Sequence, residues 1–161
     1  MINHSVEITI LGATAESIYD FMITPNDQRY SDWWPEEHLQ FHIVRFGDKE
    51  HLGDEVYYDE YLGKQFRLKF FAVVITATRP NQIIWQMKKA GFLLPAFLNF
   101  QLYDSPQGLQ LKHELKLGYN GIARLLDPFI RLYFSKSMQA ALEIHCRCEW
   151  LRLVDYLNSE G

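Results

Sequence analysis

Basic residues are in the minority here: 16 Lys and Arg face 20 Asp and Glu, for a formal charge of -4. A nucleic-acid partner, which wants a basic stripe, is therefore not expected. There are only 2 cysteines, Cys146 and Cys148, two apart on a predicted helix and so pointing in nearly opposite directions. They cannot bridge each other, and two thiols make neither a disulfide framework nor a metal site. No apolar run approaches the roughly 20 residues of a membrane span. Met1 to Ser5 lacks the basic-then-apolar layout of a signal peptide, so a reducing cytoplasm is the expected compartment. No glycine-rich phosphate loop, dinucleotide fingerprint or Ser-His-Asp order is present, so no cofactor is expected. His38 and His42 are four apart, but in a strand that spacing separates same-face side chains by about 13 Å. With no third ligand at a telling spacing, no metal is expected either.

Proline and glycine are also missing from a long stretch, and that absence organises the chain. Between Pro128 and Gly161 neither occurs. Asp127-Pro128 reads as a helix start, with Asp as N-cap and Pro at the first helical position. The pattern predicts a helix over 127–158, about 30 residues and roughly 45 Å long. Leu126, Ile130, Phe134, Ser137, Ala141, Ile144, Cys148, Leu151 and Val154 recur at three- and four-residue steps as one apolar stripe. A helix of that length needs a broad apolar partner.

The rest of the chain can supply one. Its 161 residues suit a single domain, 1–161, large enough to bury a core. Aromatics are plentiful at 15%, and rings both fill cores and line sites for apolar ligands. Val6, Ile8 and Ile10 alternate with polar residues as a half-buried strand. Thr14 N-caps a short helix through Met22, and Asn26-Asp27 can cap another turn before the broken stretch Tyr30 to Pro35, whose Trp33 and Trp34 wedge into the domain edge or face a ligand. Strands follow: Leu39 to Arg45, Gly53 to Leu62, Gln65 to Thr78 with a bulge near Phe70-Phe71, and Ile83 to Lys88. After a loop at Gly91 to Pro95 come Ala96 to Tyr103 and Leu109 to Leu117. The fold class is α+β: about seven antiparallel strands, two short helices after the first strand, and one long C-terminal helix to cover a sheet face.

Several stretches carry a family resemblance: Ala13 to Phe21 with Trp33-Trp34-Pro35, Ile75 to Pro80 with Ile83 and Trp85, Gly108 to Leu111, and Gly121 to Pro128 running into the helix. With the element order, they resemble the START-like helix-grip superfamily, also called SRPBCC, over essentially the whole chain. The superfamily includes polyketide cyclase-like, birch-pollen-allergen-like and lipid-transfer START proteins. The resemblance implies a strongly bent antiparallel sheet gripping the helix around a cavity for an apolar ligand. It implies no particular reaction, because members include carriers, enzymes and co-chaperone modules.

His113 is the sharpest polar singleton, sharing its strand face with Leu109, Leu111, Leu115 and Leu117. It reads either as a core histidine bonded to a neighbour or as a pocket imidazole that orients a ligand or moves a proton. Tyr57 to Tyr61 is the densest polar-aromatic cluster; parity sends either Tyr58 and Glu60, or Tyr57, Asp59 and Tyr61, inward. Candidate catalytic residues are thus His113, Tyr58 and Glu60. Candidate cavity residues are Trp33, Trp34, Tyr58, Phe70, Trp85, Phe100, His113, Phe134, Met138 and Ala141. Three functions stay open: binding or carriage of a small apolar molecule (lipid, isoprenoid or polyketide-like), a cofactor-independent cyclase or dehydratase, and a docking module using the 92–97 loop. For the last, Lys88 and Lys89 beside Phe92 to Leu94 would suit transient contact with an anionic membrane. The sequence sets no oligomeric state.

Overall fold

A computed structural model describes residues 2–63, 65–118 and 134–159. Strand β1 (Ile2–Ile10) is followed by helices α1 (Ala15–Ile23) and α2 (Asp27–Trp33). Then come β2 (His38–Arg45), β3 (Glu55–Leu62), β4 (Phe66–Thr78), β5 (Gln82–Lys89), β6 (Phe92–Ser105) and β7 (Gly108–Leu117), and the chain closes with helix α3 (Lys136–Ser159). The strands make one antiparallel sheet in the order β1-β7-β6-β5-β4-β3-β2. Helix α3 lies against β1 at one edge and β3 near the other. This is the helix-grip arrangement.

The helix starts follow from local chemistry. Thr14 and Ser17 form a reciprocal capping box on α1, with backbone-to-hydroxyl bonds of 3.2 and 3.1 Å. Asn26 Oδ1 accepts from the Arg29 N–H at 3.1 Å and starts α2. That helix continues through Tyr30 to Trp33, where a broken stretch is expected from sequence. Tyr30 and Trp33, one turn apart, are both buried and hold it against the core.

Helix α3 differs from expectation in two ways. The Asp127-Pro128 start lies outside the described residues. Phe134 and Ser135 are not helical, and Ser135 Oγ accepts from the Met138 N–H at 3.2 Å, so the helix begins at Lys136. The inward face is also rotated by about one residue from the apolar stripe. Met138, Leu142, His145, Cys146, Glu149, Trp150, Leu153 and Val154 are buried, while Ile144 is 65% and Leu151 54% exposed. The inward face includes a histidine and a glutamate, which a search for apolar periodicity passes over.

On the sheet, Val56, Tyr58 and Leu62 of β3 are buried with Ala72 and Val74 of β4. The even parity of β3 therefore faces the helix, and Glu60 goes with Tyr58. β3 and β4 pair without a break from Glu55↔Val73 to Leu62↔Phe66. The bulge expected at Phe70-Phe71 is instead a register shift between Val74 and Thr76 against β5. Phe71 stays on the outer face, where it packs on the Tyr57 ring with centroids 5.1 Å apart. The expected 92–97 loop is strand. Ala90 and Gly91 turn the chain at φ 49° and 85°, and Lys89↔Phe92 pairs at once. Both positive φ values suit the tight hairpin turn that matches strand twist.

Candidate functional site

Two adjoining voids lie between the sheet and α3. The wider has a volume of about 590 Å³ and is lined among the described residues mainly by apolar groups, including Leu62, Met87, Leu94, Ala96, Phe134 and Met138. The narrower is about 50 Å³ and is reached by Tyr30, Tyr58, Glu60, Phe100, His113, His145 and Glu149. Leu68, Phe70, Met87, Leu115 and Leu142 line both. Successive inward positions of α3 pass from one to the other: Met138 and Leu142 face the wide void, and Leu142, His145 and Glu149 face the narrow one.

Of the residues expected to line a cavity, Phe70, Phe134 and Met138 border the wide void. Trp33, Tyr58, Phe70, Phe100 and His113 border the narrow one, together with Glu60. Trp34, Trp85 and Ala141 border neither. Trp85 is fully enclosed, edge-on to Phe100 at 5.1 Å. Trp34 stacks on the His145 ring at 4.9 Å, and Ala141 packs at the margin of the cluster around Val6 and Leu115. Phe92 and Leu93 are exposed on β6. The neighbouring Lys88 ammonium is already bonded to Glu55 at 2.7 Å, which leaves it less charge to offer an anionic surface.

Sequence reasoning passed over His145 and Glu149, which line the narrow void, and set aside His38, which lies behind them with Nε2 3.8 Å from Glu149 Oε2. His38 is wholly buried and stacks on Tyr30, with centroids 4.1 Å and planes 2° apart. Burial pushes its pKa down to about 3, so it is neutral. Burial also opposes charge on His145, but the carboxylates of Glu149, Glu60 and Glu37 outweigh it and lift its pKa to about 10. Its Nδ1 donates to Glu37 Oε2 at 2.6 Å, and its Nε2 lies 3.3 Å from Glu149 Oε2. Burial likewise disfavours the Glu149 carboxylate, yet His145 and His113 hold its pKa well below the usual range. Glu60 is shifted the other way, raised by burial and by the Glu149 charge, and it accepts from the Tyr30 hydroxyl.

The polar contacts do not all close. Trp150 Nε1–H donates to His113 Nδ1 at 3.3 Å, while the same Nδ1 lies 3.1 Å from Glu149 Oε1. One ring nitrogen cannot both accept from the indole and donate to the carboxylate. Among the described residues, His38 Nε2, His145 Nε2, Glu149 Oε1 and Tyr58 Oη are buried without a hydrogen-bond partner of good geometry. Such groups are few in native proteins and tend to face something. The arrangement thus offers an apolar chamber with carboxylate, imidazole and phenol groups converging at its inner end. The sequence signal that could have found them is His145 and Glu149 at an i, i+4 spacing on the inward face of α3.

No protein-family model matches the sequence, and no curated protein does. Solved structures do match in fold. A START superfamily protein from Mycobacterium smegmatis superposes with a TM-score of 0.61 at 18% identity, covering 97% of both chains. The major latex-like protein 151 of Panax ginseng gives 0.57 at 9% identity, covering 89% of this chain and 95% of its own. DynU16, from the dynemicin biosynthetic locus, gives 0.59 at 12% identity, with 99% of this chain matched to 48% of DynU16. The chain shares the helix-grip fold of these structures.

Proposed function

We propose that the protein binds one small apolar or amphipathic molecule, of lipid, isoprenoid or polyketide-like type, with its apolar body in the wide void and a polar end toward Glu60 and His113. The observation that carries this reading is the apolar void of about 590 Å³ between sheet and helix, within the roughly 300–1,000 Å³ usual for small-ligand sites. Its walls bring rings and aliphatic chains together with few polar groups. The fold shared with a START superfamily protein and a major latex-like protein supports the same reading by analogy. Native mass spectrometry and solvent extraction of the purified chain test it, together with titration by an apolar fluorescent dye. One dye per chain is expected, with at least about tenfold weaker binding in Leu142→Trp, whose indole would occupy the space. Absence of both a co-purified molecule and stoichiometric dye binding rejects the reading.

A catalytic reading has one observation in its favour. Tyr58 and Glu60 share a strand face and border the narrow void with His113, a set able to hold and move a proton as in a cyclase or dehydratase. On that reading His113→Ala retains dye stoichiometry but no longer converts the bound molecule. Conversion that survives the substitution removes His113 from the mechanism.

A further inference from the structure

Beside the narrow void, His38, His145 and Glu149 bring one donor atom each toward a common point. Glu149 Oε2 is 3.3 Å from His145 Nε2 and 3.8 Å from His38 Nε2, and one donor atom from each residue falls within 4.8 Å of the others. Ligand atoms about 2.0–2.1 Å from a tetrahedral zinc ion stand about 3.3 Å apart. Among the described residues His38 Nε2 is buried without a hydrogen-bond partner, and His145 Nε2 meets only the Glu149 carboxylate, as an ion pair. His145 donates its other ring nitrogen to Glu37 at 2.6 Å, the carboxylate–histidine pairing that fixes the tautomer and aims the second nitrogen at a metal. The ring planes are held by stacking, Tyr30 on His38 and Trp34 on His145. His145 and Glu149 sit one turn apart on α3. Glu37 and His38 enter together at the start of β2.

We propose that His38 Nε2, His145 Nε2 and Glu149 Oε2 bind a single divalent first-row transition ion such as zinc or iron(II), leaving a coordination position open to the narrow void. Two imidazoles and one carboxylate suit this class of ion rather than calcium or magnesium, which prefer all-oxygen ligands. Three protein ligands with an open place is also the composition of sites that take up water or a ligand oxygen. Tyr58 and Glu60 border the void into which that place would open. A second grouping, His113, Cys146 and Glu149, shares the carboxylate. It is less suited, because Trp150 already occupies His113 Nδ1 and the Cys146 sulfur is 4.0 Å from His113 Nε2. The rival arrangement is metal-free: a His145 imidazolium spanning Glu37 and Glu149. This inference rests on the ring nitrogens and not on the apolar chamber, so it can fail while dye binding succeeds, and the reverse.

Zinc chloride titrated calorimetrically into the chelator-treated chain tests it. One ion per chain is expected, with a dissociation constant below about 1 μM. Cobalt(II) bound in its place should show the visible bands of a low-coordinate site. His38→Gln and His145→Gln should each weaken zinc by at least about 100-fold, and Glu37→Gln by about 10- to 100-fold with the cobalt bands retained. Partial recovery in Glu37→Asp would mark Glu37 as a positioning residue. Because a variant can fail to fold, the wild-type chain gives an independent reading: crystals soaked in zinc should carry an anomalous peak between the two Nε2 atoms. A metal-free titration, or zinc affinity unchanged in folded His38→Gln and His145→Gln, overturns the proposal. A peak only at surface histidines such as His42 or His51 does the same.

Discussion

Leu142 stands at the boundary between two chambers built from the same helix and the same sheet. Toward the start of α3, Met138 and Phe134 meet Leu62, Met87 and Leu115 across a void of about 590 Å³. Seven residues further on, about 10 Å along the helix, Glu149 meets His38, His113 and His145 where little space is left. The difference lies in what each chamber leaves unsatisfied. The wide one leaves apolar surface without packing partners, which costs little per atom and is relieved by an apolar guest. The narrow one leaves ring nitrogens and a carboxylate oxygen without partners, where each group weighs far more. On the proposed binding reading, apolar contact gives the wide end affinity and the narrow end supplies orientation.

The largest expected effect is at Glu149. In metal-stripped protein Glu149→Gln removes the main counter-charge of His145, and breaking a buried pair on one side costs about 3–5 kcal/mol. Urea unfolding measures it. A cost below about 1 kcal/mol would mean that the narrow chamber holds no ion pair and that the two chambers do not differ in this way. Next comes a packing comparison along the same helix. Leu153 is completely buried in the main core, so Leu153→Ala should cost about 3 kcal/mol. Met138 borders the wide void and loses fewer contacts, so Met138→Ala should cost about 1 kcal/mol. Equal costs would indicate that Met138 is as tightly packed as Leu153.

A smaller effect is expected at His38. With neither ring nitrogen well hydrogen-bonded among the described residues in a wholly buried side chain, His38→Leu should change metal-free stability by less than about 1 kcal/mol, or raise it. The same substitution should remove zinc binding. A large loss of metal-free stability would instead show that His38 serves the core, by its stacking on Tyr30.

The strands and their order were legible because half-buried antiparallel strands alternate. β7 shows this best, with Leu109, Leu111, His113 and Leu115 buried on one face. β4 was harder, since Phe71 and Ile75 are apolar on the outer side and mimic a change of parity. In α3 the same difficulty decided the site. Ile144, Cys148 and Leu151 form a plausible stripe that faces solvent, while the true inner face has His145 and Glu149 among its apolar residues. Apolar periodicity finds a core. It passes over buried polar residues, which here join positions over a hundred apart, such as Glu37 with His145.

The smallest expected effect comes from the outer face of the strand that carries Tyr58 and Glu60, and it serves as a control on both chambers. Asp59 accepts from Arg67 Nε and Nη2, each at 2.8 Å, and lies 3.4 Å from the Lys69 ammonium. Burial pushes its pKa up, but the Arg67 hydrogen bonds and the two cations outweigh that and hold it below the ordinary value. With a folded pKa lower than the unfolded one, the unfolded chain takes up the proton first as pH falls. The Asp59 contribution to stability is therefore complete at neutral pH, begins to fade near the unfolded carboxylate value of about 3.9, and is gone once pH drops below the folded value. Asp59→Asn should lower stability modestly at pH 7 and flatten its decline in acid, measured as urea midpoints from about pH 2.5 to 7. Dye stoichiometry and zinc affinity should not change, because Asp59 borders neither void and only its weaker partner Lys69 reaches the wide one. If either moves with Asp59→Asn, the outer ion pairs are setting the geometry of β3, and the two chambers do not act independently of the surface behind them.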